Sequence, residues 1–175
     1  MPKVRHAEWK VKYEGLLNSF SRLCKSIGGE PDVFANIQPD TGRRIINLNC
    51  YEGKKFKIDF AKQLGKMISD YAEKEKKPFY ITGIVNGNSP IGVEFEVERT
   101  PTGEMTGYAD FWTDLPRVPP IEISDISRPA RCEIHENPGW KFTRLHCLNE
   151  IEWNEGDILR TFAIFSDVLK KVLKS

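Results

Sequence analysis

Glu94, Glu96 and Glu98, followed by Arg99, form the densest grouping of chemically capable side chains in this sequence. Residues two apart in a β-strand share a face, so three carboxylates would line up about 7 Å from one to the next. Gly107–Thr113 reads as the strand that returns beside them. If the loop between is odd-numbered, with Arg99 facing Met105, Glu94 falls opposite Asp110 and Glu96 opposite Tyr108. Glu94, Glu96, Glu98 and Asp110 would then make an acidic face able to hold a hard cation such as magnesium, and a cation so held positions water or phosphate. If Arg99 faces Thr106 instead, Asp110 moves to the other face, and the sequence leaves the register open. The plainer reading is the solvated face of an antiparallel sheet with Val93, Phe95 and Val97 inside, or a landing site for a basic partner.

Cys132-x-x-His135 and His146-Cys147 offer four zinc ligands by type. In a strand, Cys132 and His135 point to opposite faces, as do His146 and Cys147, so the four cannot converge without a bulge. His6 lies in an N-terminal stretch expected to fray. Gly83-Ile84-Val85-Asn86-Gly87-Asn88 lacks the spacing and the following helix of a phosphate-binding loop, and no serine stands in a nucleophile-elbow context. No cofactor is therefore expected. A metal-dependent enzyme acting on phosphoesters through Glu94, Glu96 and Asp110 is the third-ranked reading.

Basic residues point elsewhere. Arg43, Arg44, Lys54, Lys55 and Lys57 cluster with Tyr51 and Phe56 between them, and aromatic platforms beside cationic side chains hold single strands by stacking and phosphate contact. Residues 1–78 carry 16 Lys/Arg against 10 Asp/Glu, whereas 79–175 carry 10 against 15. Such asymmetry marks a side that faces a polyanion, provided folding does not interleave the two halves. The first functional expectation is a non-enzymatic protein binding single-stranded nucleic acid through Arg43, Arg44, Tyr51, Lys54, Lys55 and Lys57. The second is a protein-interaction or inhibitory module that uses the acidic sheet face or a proline-rich arm.

These side chains need elements to position them. Trp9, Tyr13, Leu16, Phe20, Leu23 and Ile27 recur at steps of three and four, one stripe of a helix that Gly28-Gly29 ends. Val33–Ile37 and Arg43–Tyr51 flank Gln38-Pro39-Asp40-Thr41-Gly42, a hairpin loop. Phe56, Phe60, Leu64, Met67 and Tyr71 predict a second helix from about Lys55 to Lys76, stopped by Pro78. Phe79–Trp112 reads as a three-strand antiparallel meander. Leu115–Ala130 carries four prolines and no periodicity, which suits an extended arm or a cover for a sheet edge. A second hairpin, Arg131–Glu136 with Trp140–Leu148 around Asn137-Pro138-Gly139, would set Glu133 against Arg144. Asn154 and Trp153 predict the cap and staple of a last helix, whose stripe Ile158, Phe162, Phe165, Leu169 and Val172 is wide enough to suggest self-association.

The expected fold is one α+β domain, an antiparallel sheet of two hairpins and a meander with three amphipathic helices on it. Its 175 residues, 39% hydrophobic and 29% charged, suit a single domain and contain no apolar run long enough to span a bilayer. No secretory signal is legible in MPKVRHAEWK, and Cys24, Cys50, Cys132 and Cys147 are widely spaced, so free thiols in a reducing cytoplasm are expected.

Overall fold

The computed structural model describes residues 2–56, 59–87, 91–113, 131–135 and 143–149 and, in the C-terminal helix α3, residues 156, 158–163 and 166. In chain order the other elements are α1 (Pro2–Ser26), β1 (Glu30–Ile37), β2 (Arg44–Gly53), α2 (Phe60–Lys74), β3 (Phe79–Gly87), β4 (Ile91–Arg99), β5 (Met105–Thr113), β6 (Arg131–His135) and β7 (Thr143–Asn149). The predicted arm over 115–130, the Asn154 cap and Phe165 lie outside the described residues.

The fold is α+β, but the sheet is mixed. Its order is β1-β2-β3-β4-β5-β7-β6, and β2 pairs with β3 in parallel, Ile46 beside Ile81 and Leu48 beside Gly83. The expected all-antiparallel sheet is corrected by α2. A parallel pair needs a crossover of a dozen or more residues, and the stretch from Lys54 to Pro78 supplies one. Every other pairing among the described residues is antiparallel.

The helices cover one face. Ile46, Leu48, Phe79, Ile81, Val85, Val93, Phe95, Val97, Ala109 and Phe111 alternate inward and are all buried there. The Phe79 ring meets Tyr71 of α2 edge-on at 5.4 Å, and Phe95 meets Phe162 of α3 at 5.9 Å. Phe162 fits because Gly65 of α2 has no side chain: a Cβ there would lie 2.6 Å from the Phe162 Cβ. Trp9 of α1 donates its indole N–H to the Tyr71 hydroxyl at 2.8 Å, so this core polar pair is satisfied.

Helix ends follow local chemistry. Gly28, at φ 76°, lets the chain leave α1, and Gly29 N–H reaches Cys24 O at 2.9 Å. Helix α1 begins at Pro2, so the stretch around His6, expected to fray, is helical. Helix α2 starts at Phe60, later than the periodicity suggests, because Lys54 and Lys55 donate their backbone N–H groups to Ile27 O at 2.8 and 3.1 Å. That turn docks the chain on the end of α1 before α2 begins.

Cysteine usage is the second correction. Cys24 of α1 and Cys50 of β2 form a disulfide, Cα atoms 5.6 Å apart, in place of the two free thiols expected. Closing a loop of this length removes chain entropy from the unfolded state, an effect of about 3.5 kcal/mol. The second hairpin also differs in register: Glu133 pairs with His146, and Arg144 with His135, so the proposed Glu133–Arg144 pair does not form across the ladder. Among the described residues no helix is long and apolar enough to cross a membrane.

Candidate nucleic-acid interface

The helix layer carries an excess of cations, and a cluster of carboxylates sits on the outer face of the sheet. Helices α1 and α2 contain nine Lys/Arg and four Asp/Glu. The outer sheet face carries Glu94, Glu96, Glu98 and Asp110, placed together by the register Glu94↔Asp110 and Glu96↔Tyr108. The loop decides that register. Residues 100–104 are odd in number, Gly103 adopts φ 93°, and Thr100 N–H closes on Glu104 O at 2.8 Å. Pro101 and Gly103 at that spacing are the local signal for a turn ended by a left-handed residue.

Helices α1 and α2 run antiparallel, with Trp9 against Tyr71 at one end and Leu23 beside Met67 toward the other. A cleft of about 470 Å³ opens between them, lined by Arg22, Ser26, Lys66 and Asp70 over Leu23 and Met67. It continues into a second cavity of about 270 Å³ that adds Lys12 and Lys74 and shares Ser19, Met67 and Asp70. From Gln63 to Lys74 this track is roughly 16 Å long. Its rim therefore carries cations at both ends and one described carboxylate, Asp70. The sequence reading missed it because Arg22 and Lys66 are far apart in the chain and each looks like a solvated helix residue.

The residues picked from sequence do not meet at one place. Lys54 and Lys55 are exposed beside the end of α1, with their backbone N–H groups on Ile27 O, next to the cleft residue Ser26, and the Lys54 stem lies 3.4 Å from where a Gly28 Cβ would be. Glu52, at φ 59°, and the register shift between Cys50 and Gly53 turn the chain toward that position. Tyr51 is 40% exposed at the same end of β2. Arg43 and Arg44 lie at the other end of β2, roughly 23 Å away. Arg44 is only 7% exposed: it donates to Gly42 O at 2.5 Å, and its Nε lies 3.7 Å from the Glu75 carboxylate. Arg43 donates to Glu98 Oε1 at 2.6 Å and stacks over the Tyr80 ring at 4.5 Å. Lys57 lies outside the described residues.

The acidic face is a hydrogen-bonded surface. Tyr108 donates to Glu94 Oε1 at 3.4 Å, Asn47 donates to Thr82 Oγ1 at 2.8 Å, and the Asn49 amide donates to Asn47. Among the described residues no three His, Cys, Asp or Glu side chains are grouped closely enough to hold a metal ion. Partial burial and the adjacent carboxylates hold both phenols neutral. Tyr80 is pushed up to about 12 by burial and then by Glu96 and Glu98, and Tyr108 to about 12 by burial and then by Glu94 and Glu96.

Those two tyrosines give a pH prediction. Unfolded tyrosine ionises near pH 10, so between about pH 10 and 12 the unfolded chain releases protons that the folded chain keeps. Stability from this source is complete below that window and is lost as pH rises through it. The urea midpoint should fall between about pH 9 and about pH 11.5, and should fall less in the Tyr80→Phe/Tyr108→Phe variant. Equal losses in both proteins would place the alkaline sensitivity elsewhere.

Comparison of the chain with protein-family models, with curated proteins and with solved structures finds no match.

Proposed function

We propose that this chain is a non-enzymatic binding protein that holds single-stranded nucleic acid along the basic cleft between α1 and α2. The observation that carries this reading is the cleft itself, with Arg22 and Lys66 on its two walls and Lys74 further along, and with Lys54 and Lys55 bonded through their backbone to Ile27, the residue after the cleft residue Ser26. Lys12, which also lines it, is paired with Glu75. Tyr51 is not part of this cleft, because it alternates with the buried Cys50 and so shares the outer sheet face with Asn47 and Asn49. Arg43 and Arg44 leave the proposed interface, since carboxylates already engage both. Self-association through α3 belongs to the same proposal and rests on Leu159, which is 44% exposed.

Cytoplasmic location was expected from free thiols, and the Cys24–Cys50 bond removes that ground, because disulfides persist mainly in oxidising compartments. The test therefore has two arms, a labelled single-stranded oligonucleotide and a sulfated polysaccharide of similar charge density. Each contacting cation releases a counterion, so log affinity for the oligonucleotide should fall linearly with log salt at about 0.7 per contact. Arg22→Gln, Lys54→Gln, Lys55→Gln and Lys66→Gln together should flatten the slope by roughly two to three, whereas Arg43→Gln should leave it unchanged. No association at about 50 mM salt with about ten micromolar protein would sink the reading and move a protein partner at the acidic face to first place. Tighter binding of the polysaccharide would keep the cleft and change its ligand.

A further inference from the structure

Cys132 of β6 and Cys147 of β7 occupy directly opposite positions in an antiparallel ladder. Such positions place Cα atoms about 4.5–5.5 Å apart, whichever kind of pair they are. A disulfide spans about 4.4–6.8 Å. The same row runs on through Ala109, Phe95, Gly83 and Leu48, so the two cysteines stand in line with the buried, helix-side face of the sheet. His146 and Glu133 belong to the alternate row with Asp110, on the outer side. The register thus sets cysteine against cysteine and separates both from the neighbouring histidine, which removes the mixed Cys/His alternative.

We infer that Cys132 and Cys147 are the site of a second, cross-strand disulfide. It would tie the edge strand β6 to β7, and β7 is the strand that joins this hairpin to β5. The oxidant is a low-molecular-weight or protein disulfide, such as glutathione disulfide. One cysteine thiolate attacks a sulfur of that disulfide, forming a mixed disulfide and releasing one thiolate. The second cysteine thiolate then attacks the first cysteine's sulfur and displaces the other. Two electrons pass to the oxidant, and the two cysteine protons end on the two released thiols. With Cys24–Cys50 this uses all four cysteines of the chain, the pattern of a protein that works outside a reducing cytoplasm.

The test is made on the full chain, equilibrated with glutathione disulfide and not reduced. Its intact mass should be about 4 Da below that of the reduced chain. Digestion without reduction should yield two cross-linked peptides, one joining Cys24 to Cys50 and one joining Cys132 to Cys147. Alkylation of the unreduced, folded protein should label no cysteine, and alkylation after reduction should label all four. The Cys24→Ser/Cys50→Ser variant should lose about 2 Da on oxidation. If that variant does not fold, the wild-type peptide map decides the matter alone. Alkylated Cys132 or Cys147 in the unreduced wild type, or either one cross-linked to a different cysteine, overturns the inference.

Discussion

Glu75→Gln should lower stability by about 3–5 kcal/mol, because it leaves a buried guanidinium without its counter-charge. Glu75 is 2% exposed at the end of α2 and Arg44 is 7% exposed at the start of β2. The Glu75 carboxylate lies 3.7 Å from Arg44 Nε and 3.8 Å from Lys12 Nζ, and it accepts the Lys77 N–H at 3.1 Å. One side chain thus joins α1, β2 and the turn into β3. Lys12 is partly exposed and can turn to water, but Arg44 cannot without moving β2. Urea denaturation should show the midpoint falling with little change in slope, and the melting temperature should drop by about 10 °C. Replacing both partners, Glu75→Met with Arg44→Met, should recover much of the loss, since the uncompensated charge goes too. A single Glu75→Gln variant within about 1 kcal/mol of the parent would mean that Arg44 finds water where the fold places it in the interior.

Gly83→Ala should be comparably damaging, for a steric reason. Gly83 sits on the inner face at the centre of the parallel β2–β3 pair. A Cβ there would lie 2.3 Å from the Leu48 carbonyl oxygen and 2.3 Å from the Phe95 ring. The ring could tilt, but the carbonyl belongs to the neighbouring strand and can retreat only if the sheet opens. Overpacking of this kind costs about 3 kcal/mol or more. The expected outcome is a melting temperature lower by about 10 °C, or no folded protein at all. Phe95→Leu removes only the ring's share of the clash, so Gly83→Ala/Phe95→Leu should stay well below Phe95→Leu alone. Equal stability of those two would show that the ring, and not the Leu48 backbone, is the obstacle.

Local patterns were the part of the fold that the sequence carried well. Trp9, Leu16, Phe20 and Leu23 along α1, and Ile27 just beyond its end, are buried as their spacing predicts, and Val93, Phe95 and Val97 are the inner residues of β4. The acidic face was legible as an alternation, and Pro101 with Gly103 held the clue to its register. The basic site was read less well. Proximity along the chain joined Arg43 and Arg44 to Lys54 and Lys55, yet a strand holds its two ends apart, and the first two are taken up by Glu98 and Glu75.

The sequence alone determined the helices, most strands, the turn glycines and the sign of charge in each half, because periodicity and backbone preference act over a few neighbouring residues. Only the tertiary structure decided that β2 and β3 run parallel, since an amphipathic helix between two strands serves a crossover as well as a return. It also brought Cys24 to Cys50, closed Arg44 onto Glu75, and set Arg22 against Lys66 across the cleft. Each of those contacts joins segments more than twenty residues apart, and such meetings depend on which buried faces pack together, a choice the whole core makes at once.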